Sequence, residues 1–169
     1  TDALTGLYNR RSFDESFPIE LARAYRQQSH LSLILCDVDY FKAYNDTLGH
    51  PKGDECLRRV AQVLSEAVRR GGDRAVRYGG EEFAVVLTGT DIHQAKVFAE
   101  RLRRSFEDAA IAHPSSGVAK YITVSMGVSS LSLDAEHEDE VEDLIYRADK
   151  ALYMAKECGR NQVQLELRP

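Results

Sequence analysis

Two glycines stand directly before two carboxylates at residues 77–83, Arg-Tyr-Gly-Gly-Glu-Glu-Phe. Glycines let backbone amides approach a phosphate closely, and an adjacent carboxylate can hold the divalent cation that accompanies a nucleoside triphosphate. A second acidic pair, Asp37 and Asp39, follows an apolar run at residues 31–35. A buried strand would deliver these carboxylates at its C-terminal end, where open α/β sheets usually bind ligands. The residue types therefore indicate phosphate and metal chemistry.

Alternating helical and strand patterns surround these acidic segments. The glycine–glutamate segment is flanked by two strand-like runs, so it should form the turn of a β-hairpin. Spacings of i, i+3, i+4 and i+7 predict amphipathic helices elsewhere. The predicted elements are a helix at about 10–28, a strand at 31–39, a short helix through Tyr44, a break at 49–53, a helix ending near 70–72, hairpin strands at 74–78 and 83–87, a helix over 95–106, a strand at 121–129, a helix over 141–152 and a short strand at 163–167.

Composition bounds the class of protein without naming it. The chain has 169 residues, 43% hydrophobic and 29% charged, which fits one domain spanning 1–169. Its net charge of -5 argues against a protein that coats nucleic acid. No apolar stretch reaches the roughly 20 residues of a membrane span, so we expect a soluble domain without membrane contact. Cys36, Cys56 and Cys158 are widely spaced, which suits a reducing cytoplasm rather than disulfides or zinc.

Several ordered motifs together resemble the GGDEF family, the diguanylate cyclases. They are residues 37–46, 53–55 and 77–83. The resemblance begins with the segment at 2–11 and runs to the segment at 155–161. The signature reads Gly-Gly-Glu-Glu-Phe, a common variant of Gly-Gly-Asp-Glu-Phe. The resemblance covers nearly the full chain. It implies an α+β fold with a mostly antiparallel central sheet flanked by helices and a ferredoxin-like core, related to nucleotidyl cyclase and polymerase palm domains.

The resemblance implies a metal-dependent catalytic centre. It assigns Asp37 and Glu81 as metal ligands, with the Val38 backbone carbonyl adding an oxygen. Mg²⁺ is the expected ion, with Mn²⁺ as a substitute, because all the donors are oxygen. Glu82 is needed for turnover in the family, and its role as ligand, base or orienting group stays open. The alternative for Asp37 is a helix N-cap after the strand.

The family's guanine-reading positions fall on Asn45 and Asp54. A carboxylate can accept from the guanine ring N–H and exocyclic amine, so this pair favours GTP over ATP. The alternative is that Asp54 caps a helix beginning near Glu55.

The resemblance also implies which residues contact the triphosphate. By resemblance, Gly79, Gly80, Lys42, Lys156 and Arg160 contact the triphosphate. The aromatic side chains in the same motifs are interpreted as packing rather than chemistry: Phe41, Tyr44 and Tyr153. All five histidines are interpreted as structural, with His50 in a loop beside Pro51.

The resemblance implies an inhibitory product site at the Arg-x-x-Asp segment, which five residues separate from Gly79. Arg70 and Asp73 form the Arg-x-x-Asp spacing at which family members bind their own product, cyclic di-GMP, and Arg101 matches a secondary contributor. Arginine suits this role because its guanidinium both pairs with phosphate and forks toward guanine.

Catalysis in the family takes place between two domains that face each other, so a homodimer is expected. Because the chain opens within the family's first motif, we expect an output domain excised from a larger signalling protein, with a sensor or receiver domain upstream and a membrane anchor in some arrangements. Two other hypotheses stay open: a catalytically silent receptor for cyclic di-GMP or regulatory GTP-binding module, and a purine nucleotide cyclase acting within one nucleotide.

Overall fold

The computed structural model describes residues 1–134 and 136–166, which form a five-stranded sheet with helices on both faces. This is the predicted α+β class. The elements in chain order are α1 Arg10–Arg26, β1 Leu31–Val38, α2 Phe41–Leu48, α3 His50–Ala67, β2 Arg74–Gly79, β3 Glu82–Thr88, α4 Ile92–Ala109, β4 Val124–Ser130, α5 Val141–Glu157 and β5 Val163–Leu165.

Strand β1 lies at the centre of the sheet, whose order is β2-β3-β1-β4-β5. It pairs antiparallel with both β3 and β4, while β5 pairs parallel with β4. All eight residues of β1 are buried, as expected for a strand covered on both faces. The mostly antiparallel sheet predicted from the sequence is confirmed.

Side chains of β1 alternate between two hydrophobic cores. Ile34, Cys36 and Val38 face the core built with α3 and α4, whereas Leu33 and Leu35 face the core built with α1 and α5. This follows from the two-residue period of a strand. Each fully buried aliphatic or aromatic side chain contributes roughly 1.5–3 kcal/mol to the free energy of unfolding. Because β1 has buried side chains in both cores, packing on both faces of the sheet fixes its position.

Helix α5 packs unusually close to β4. A Cβ added at Gly127 would lie 2.1 Å from the carbonyl oxygen of Ala148, so only glycine allows this approach. Ser129 adds a hydrogen bond from its hydroxyl to the Leu144 carbonyl oxygen over 2.8 Å. This contact fixes the position of α5 relative to the sheet, and with it the residues at the C-terminal end of α5.

The predicted break at 49–53 is wrong except at Gly49. Helix α3 begins at His50 with Pro51 in its first turn, where the missing N–H of proline costs no hydrogen bond. His50 is therefore helical rather than in a loop. Asp54 lies inside α3, so the alternative that it caps a helix is also wrong. The helix ends at Ala67, earlier than predicted.

Other element boundaries differ by a few residues. Tyr121 lies in an isolated bridge with Ala112, and β4 starts at Val124. The last strand is described as Val163–Leu165; its predicted end at Leu167 falls outside the described residues. Cysteines 36, 56 and 158 are free thiols. Within the described ranges, no helix combines the length and apolar character that a membrane span requires.

Candidate active site

The strand register brings three acidic residues, Asp37, Glu81 and Glu82, to the place where β1 ends beside the β2–β3 hairpin. Asp37 is opposite Glu82 in the strand register, and the Val38 N–H donates to the Glu81 carbonyl oxygen over 3.2 Å. Gly80 in the turn has a φ of +24°, and a Cβ added there would find no atom within 4 Å. The hairpin turn therefore leaves open space beside the acidic groups.

Asp37 carries a carboxylate that the fold makes costly to ionise. Burial raises the pKa of Asp37 to about 6, the ammonium of Lys156 opposes this shift, and the charges of Glu81 and Glu82 add to it. Lys156 Nζ donates to Asp37 Oδ2 over 2.5 Å. A second cation between these carboxylates would favour the ionised form.

The predicted metal ligands fit a hard divalent cation. No cluster of three metal-binding His, Cys, Asp or Glu side chains occurs within residues 1–134 and 136–166, so protein side chains alone would not complete a coordination shell. Asp37 and Glu81 would supply carboxylate oxygens, and the Val38 carbonyl is the third predicted donor. Mg²⁺ accepts such a partial oxygen set because water and substrate phosphates normally complete its octahedron.

Asp39 has a different role from Asp37, although both stand at the end of the same strand. Its carboxylate accepts from the hydroxyls of Thr123 and Ser125 over 2.8 and 2.7 Å, and from the Asn161 N–H over 3.0 Å. It therefore joins β1 to β4 and to the segment after α5. The N-cap alternative for Asp37 is wrong, because α2 begins without a side-chain cap.

The predicted guanine-reading residues lie on neighbouring turns of α2 and α3. Asn45 Oδ1 is buried and has no hydrogen-bond partner among the described residues. It packs against Gly53, where an added Cβ would lie 1.8 Å away. Asp54 follows Gly53 directly and is exposed. An unpaired buried acceptor is costly, and a donor on a ligand would satisfy it.

Two of the three predicted phosphate-binding cations lie at the end of β1. Lys156 contacts Asp37, and the guanidinium of Arg160 lies 4.6 Å from the ring centroid of Tyr40, which directly precedes α2. Lys42 is exposed in the first turn of α2. Phe41 and Tyr44 are buried as predicted; Tyr153 is 61% exposed, so its interpretation as packing is wrong.

The predicted inhibitory residues share one pocket. Arg70, Asp73 and Arg101 line a cavity of about 340 Å³ between the end of α3 and α4. Asp73 is buried and accepts from the Thr88 N–H and hydroxyl over 2.8 and 3.0 Å. Arg70 Nε lies 3.9 Å from Asp73 Oδ2, and two thirds of the Arg70 side chain is exposed. The arginine is therefore accessible to a ligand, whereas the aspartate is held by the fold.

Two further residues hold the site: Arg77, to which the sequence analysis assigned no role, and His113, which it interpreted only as one of five structural histidines. Arg77 donates from Nε to the Gly80 carbonyl oxygen over 3.1 Å and from its guanidinium to Asp2 over 3.2 Å. It thus connects the hairpin turn to the opening segment, and its place beside the signature was the available signal. His113 is buried with Nε2 2.9 Å from the Tyr40 carbonyl oxygen, and nothing in the sequence points to it.

A groove of about 1060 Å³ lies away from these residues, between α1 and α5, and includes Tyr78, Ile145 and Tyr146. It shares no residue with the acidic site. We place the candidate active site by the converging charged groups rather than by cavity volume, because clustered ionisable side chains with a perturbed pKa are the stronger indicator of chemistry.

Comparison with known proteins identifies the family. The family model described as "Diguanylate cyclase, GGDEF domain" matches residues 1–162. Diguanylate cyclase VdcA of Vibrio cholerae is 44% identical over 163 residues, which are 96% of this chain and 45% of VdcA. The GGDEF domain of DgcB from Caulobacter crescentus, solved in complex with cyclic di-GMP, matches with a TM-score of 0.87 and 33% identity, covering 98% of this chain and 94% of that domain.

A second solved structure carries the same signature variant. The active GGEEF domain of a diguanylate cyclase from Vibrio cholerae has a TM-score of 0.83 and 37% identity, covering 96% of this chain and 99% of that one. The fold and site thus define a nucleotidyl cyclase-like domain. The chain belongs to the diguanylate cyclase GGDEF-domain family. It spans less than half the length of VdcA.

Proposed function

We propose that this chain condenses two molecules of GTP into cyclic di-GMP and releases two pyrophosphates. The observation that carries the proposal is the placement of Asp37 opposite Glu82 in the sheet, where the charges of Glu81 and Glu82 act on it beside the open turn at Gly80. Support comes also from the similarity to VdcA, a diguanylate cyclase, and to the DgcB domain, which binds cyclic di-GMP in its crystal structure.

Guanine would be read by Asn45 and Asp54. The exposed carboxylate of Asp54 accepts from the ring N–H and the exocyclic amine of guanine, and adenine lacks this donor pair. The buried acceptor of Asn45, which has no partner among the described residues, gives a second contact to the base. We therefore propose GTP rather than ATP as the substrate.

The triphosphate would lie along the cations and the hairpin turn. Lys42, Lys156 and Arg160 neutralise its charge, and the amides of Gly79 and Gly80 approach its oxygens. Mg²⁺ or Mn²⁺ bound by Asp37, Glu81 and the Val38 carbonyl would stabilise the charge that develops on the α-phosphate and the leaving pyrophosphate. On this proposal, Lys156 exchanges its contact with Asp37 for a contact with phosphate.

The reaction is a displacement at phosphorus. The 3′-hydroxyl oxygen of one GTP bonds to the α-phosphorus of the other, the bond from that phosphorus to the bridging oxygen breaks, and pyrophosphate leaves. The hydroxyl proton is lost in the same step, and Glu82, opposite Asp37 in the strand register, would accept this proton or orient the nucleotide. A second transfer closes the ring.

Two domains are needed, since each holds one GTP. Bringing them face to face aligns the hydroxyl of one nucleotide with the leaving group of the other, and such positioning accounts for a large part of the rate. We propose that a homodimer is the active form and that the remainder of a longer protein, carrying a sensor or receiver domain, controls its formation. Product inhibition would act through Arg70, Asp73 and Arg101.

The test is product analysis of a dimer formed by fusing the chain to a parallel coiled coil. With GTP and Mg²⁺, we expect cyclic di-GMP and pyrophosphate in a ratio of one to two, and no such product from Glu81→Ala. Glu15→Ala, on the exposed side of α1, is the matched control. Formation of a cyclic mononucleotide, or binding of cyclic di-GMP without any turnover, would overturn the proposal in favour of a purine cyclase or a receptor.

A further inference from the structure

Tyr40 holds the connection between β1 and α2 in a strained conformation. Its φ of 55° and ψ of 35° are left-handed, which is unfavourable for a residue with a Cβ. It lies between the acidic end of β1 and Lys42. Helix α2 starts without a side-chain cap, so the side chain of Tyr40 does not stabilise this turn. Strain of this kind persists only where surrounding groups fix the backbone.

His113 supplies a side-chain contact to Tyr40, whose carbonyl oxygen also accepts from the Tyr44 N–H over 3.0 Å. The His113 side chain is buried, and its Nε2 lies 2.9 Å from the Tyr40 carbonyl oxygen. Its other ring nitrogen, Nδ1, accepts from the Ser115 N–H over 3.3 Å. Because a neutral imidazole has one donor and one acceptor nitrogen, Nε2 carries the proton and donates to Tyr40.

The segment around His113 makes further contacts with the start of α2. The Ser115 hydroxyl donates to the Ala43 carbonyl oxygen over 3.1 Å. Gly117 lies against the Tyr40 ring, where an added Cβ would come within 3.0 Å of the phenol. The guanidinium of Arg160 lies over the same ring, 4.6 Å from its centroid. Residues 113–117 therefore hold both the backbone and the ring of Tyr40.

We propose that His113 is a positioning residue of the nucleotide site. Its Nε2–H keeps Tyr40 in the left-handed conformation, and this sets where α2 begins, where Lys42 is presented and where Arg160 rests. The inference rests on the proposed function, because Lys42 and Arg160 are triphosphate contacts only if the chain binds GTP. His113 itself touches no substrate.

Two variants separate positioning from folding. His113→Gln keeps a side-chain N–H at nearly the position of Nε2, whereas His113→Leu removes the donor and keeps an apolar side chain of moderate size. His30→Leu, exposed at the other end of β1, is the matched control. Binding of a non-hydrolysable GTP analogue with Mg²⁺ to each folded variant is measured by calorimetry.

We expect His113→Leu to bind the analogue about tenfold more weakly, and His113→Gln and His30→Leu to bind within about threefold of the parent chain. Equal binding by His113→Leu and the parent would overturn the positioning role. No binding by the parent would instead refute the proposed function, so the two failures are distinguishable.

The tautomer gives an independent readout that needs no ligand and no variant. Nitrogen-15 NMR of the imidazole should show a proton on Nε2 of His113 that exchanges slowly with solvent, and a bare Nδ1. A proton on Nδ1 with a bare Nε2 would overturn the proposal even if His113→Leu failed to fold.

Discussion

The end of β1 and the turn around Asp73 both hold a buried carboxylate beside a cation, but they satisfy it differently. Burial raises the pKa of Asp37 to about 6, the contact with Lys156 opposes this shift, and the charges of Glu81 and Glu82 add to it. Asp73 receives two hydrogen bonds from Thr88. The first carboxylate is left available for a cation, and the second is part of the fold. The exposed recognition group in the second region is Arg70.

This difference predicts what each substitution will do. Asp37 accepts from the end of a long lysine side chain, so we expect its removal to reduce function more than stability, whereas removal of Asp73 leaves two donors of Thr88 unpaired.

Asp37→Asn should reduce cyclic di-GMP synthesis by the coiled-coil dimer about 100- to 1000-fold, because the neutral amide holds a divalent cation poorly. The measurement is the rate of pyrophosphate release at saturating GTP and Mg²⁺. Asp14→Asn on the surface of α1 serves as control. Activity within tenfold of the parent would remove Asp37 from the catalytic centre.

Arg70→Ala should raise the concentration of cyclic di-GMP needed for half-inhibition by about 10- to 100-fold, since a charge-assisted contact to phosphate or guanine is lost. Turnover without added product should stay the same. Arg104→Ala, exposed on α4 outside the pocket, is the control. Unchanged inhibition would show that product acts elsewhere.

Asp73→Ala sharpens the comparison with Asp37. It should destabilise the chain by about 1–3 kcal/mol, because the Thr88 N–H and hydroxyl lose their acceptor. Urea denaturation measures this directly. Stability equal to the parent would mean that the fold does not depend on the Asp73 carboxylate.

Gly53→Ala should weaken GTP binding by about fivefold to tenfold, because the new Cβ takes the space of the Asn45 amide. Alanine favours a helix by about 1 kcal/mol over glycine, so the fold should tolerate the change. Binding of the GTP analogue is compared with Lys52→Ala in the same turn of α3. Unchanged affinity would place guanine away from Asn45.

Asp37 should also affect stability as the pH changes, with the smallest effect of the series. A carboxyl whose pKa is raised from 3.8 to about 6 by folding binds a proton more tightly in the native state. Ionising it therefore destabilises the fold as the pH rises through this window. Asp37→Asn should gain roughly 2–4 °C in Tm over the parent at pH 8 and little at pH 4 in metal-free buffer. A loss at pH 8 would mean that the Lys156 contact outweighs burial.

Much of the fold could be predicted because apolar periodicity is a local property. The spacing in α3, α4 and α5 and the continuous apolar run of β1 indicated the correct element types. Boundaries were predicted less accurately because proline and glycine can mark either a break in a helix or the start of one. At Gly49 and Pro51 they were interpreted as a break, but Pro51 lies in the first turn of α3, where proline fits.

The sequence by itself determined which residue types are present and which stand at the ends of strands: the acidic pair after β1, the glycine–glutamate turn and the cations near the C-terminus. Only the tertiary structure decided which of these are left for a ligand. Asp37 and Asp39 are alike in sequence, yet Thr123, Ser125 and Asn161 satisfy Asp39, while Asp37 lies among carboxylates. His113 shows the same limit, because it lies 73 residues from Tyr40 along the chain. Burial and hydrogen-bond partners depend on contacts between distant segments, so spacing along the sequence does not specify them.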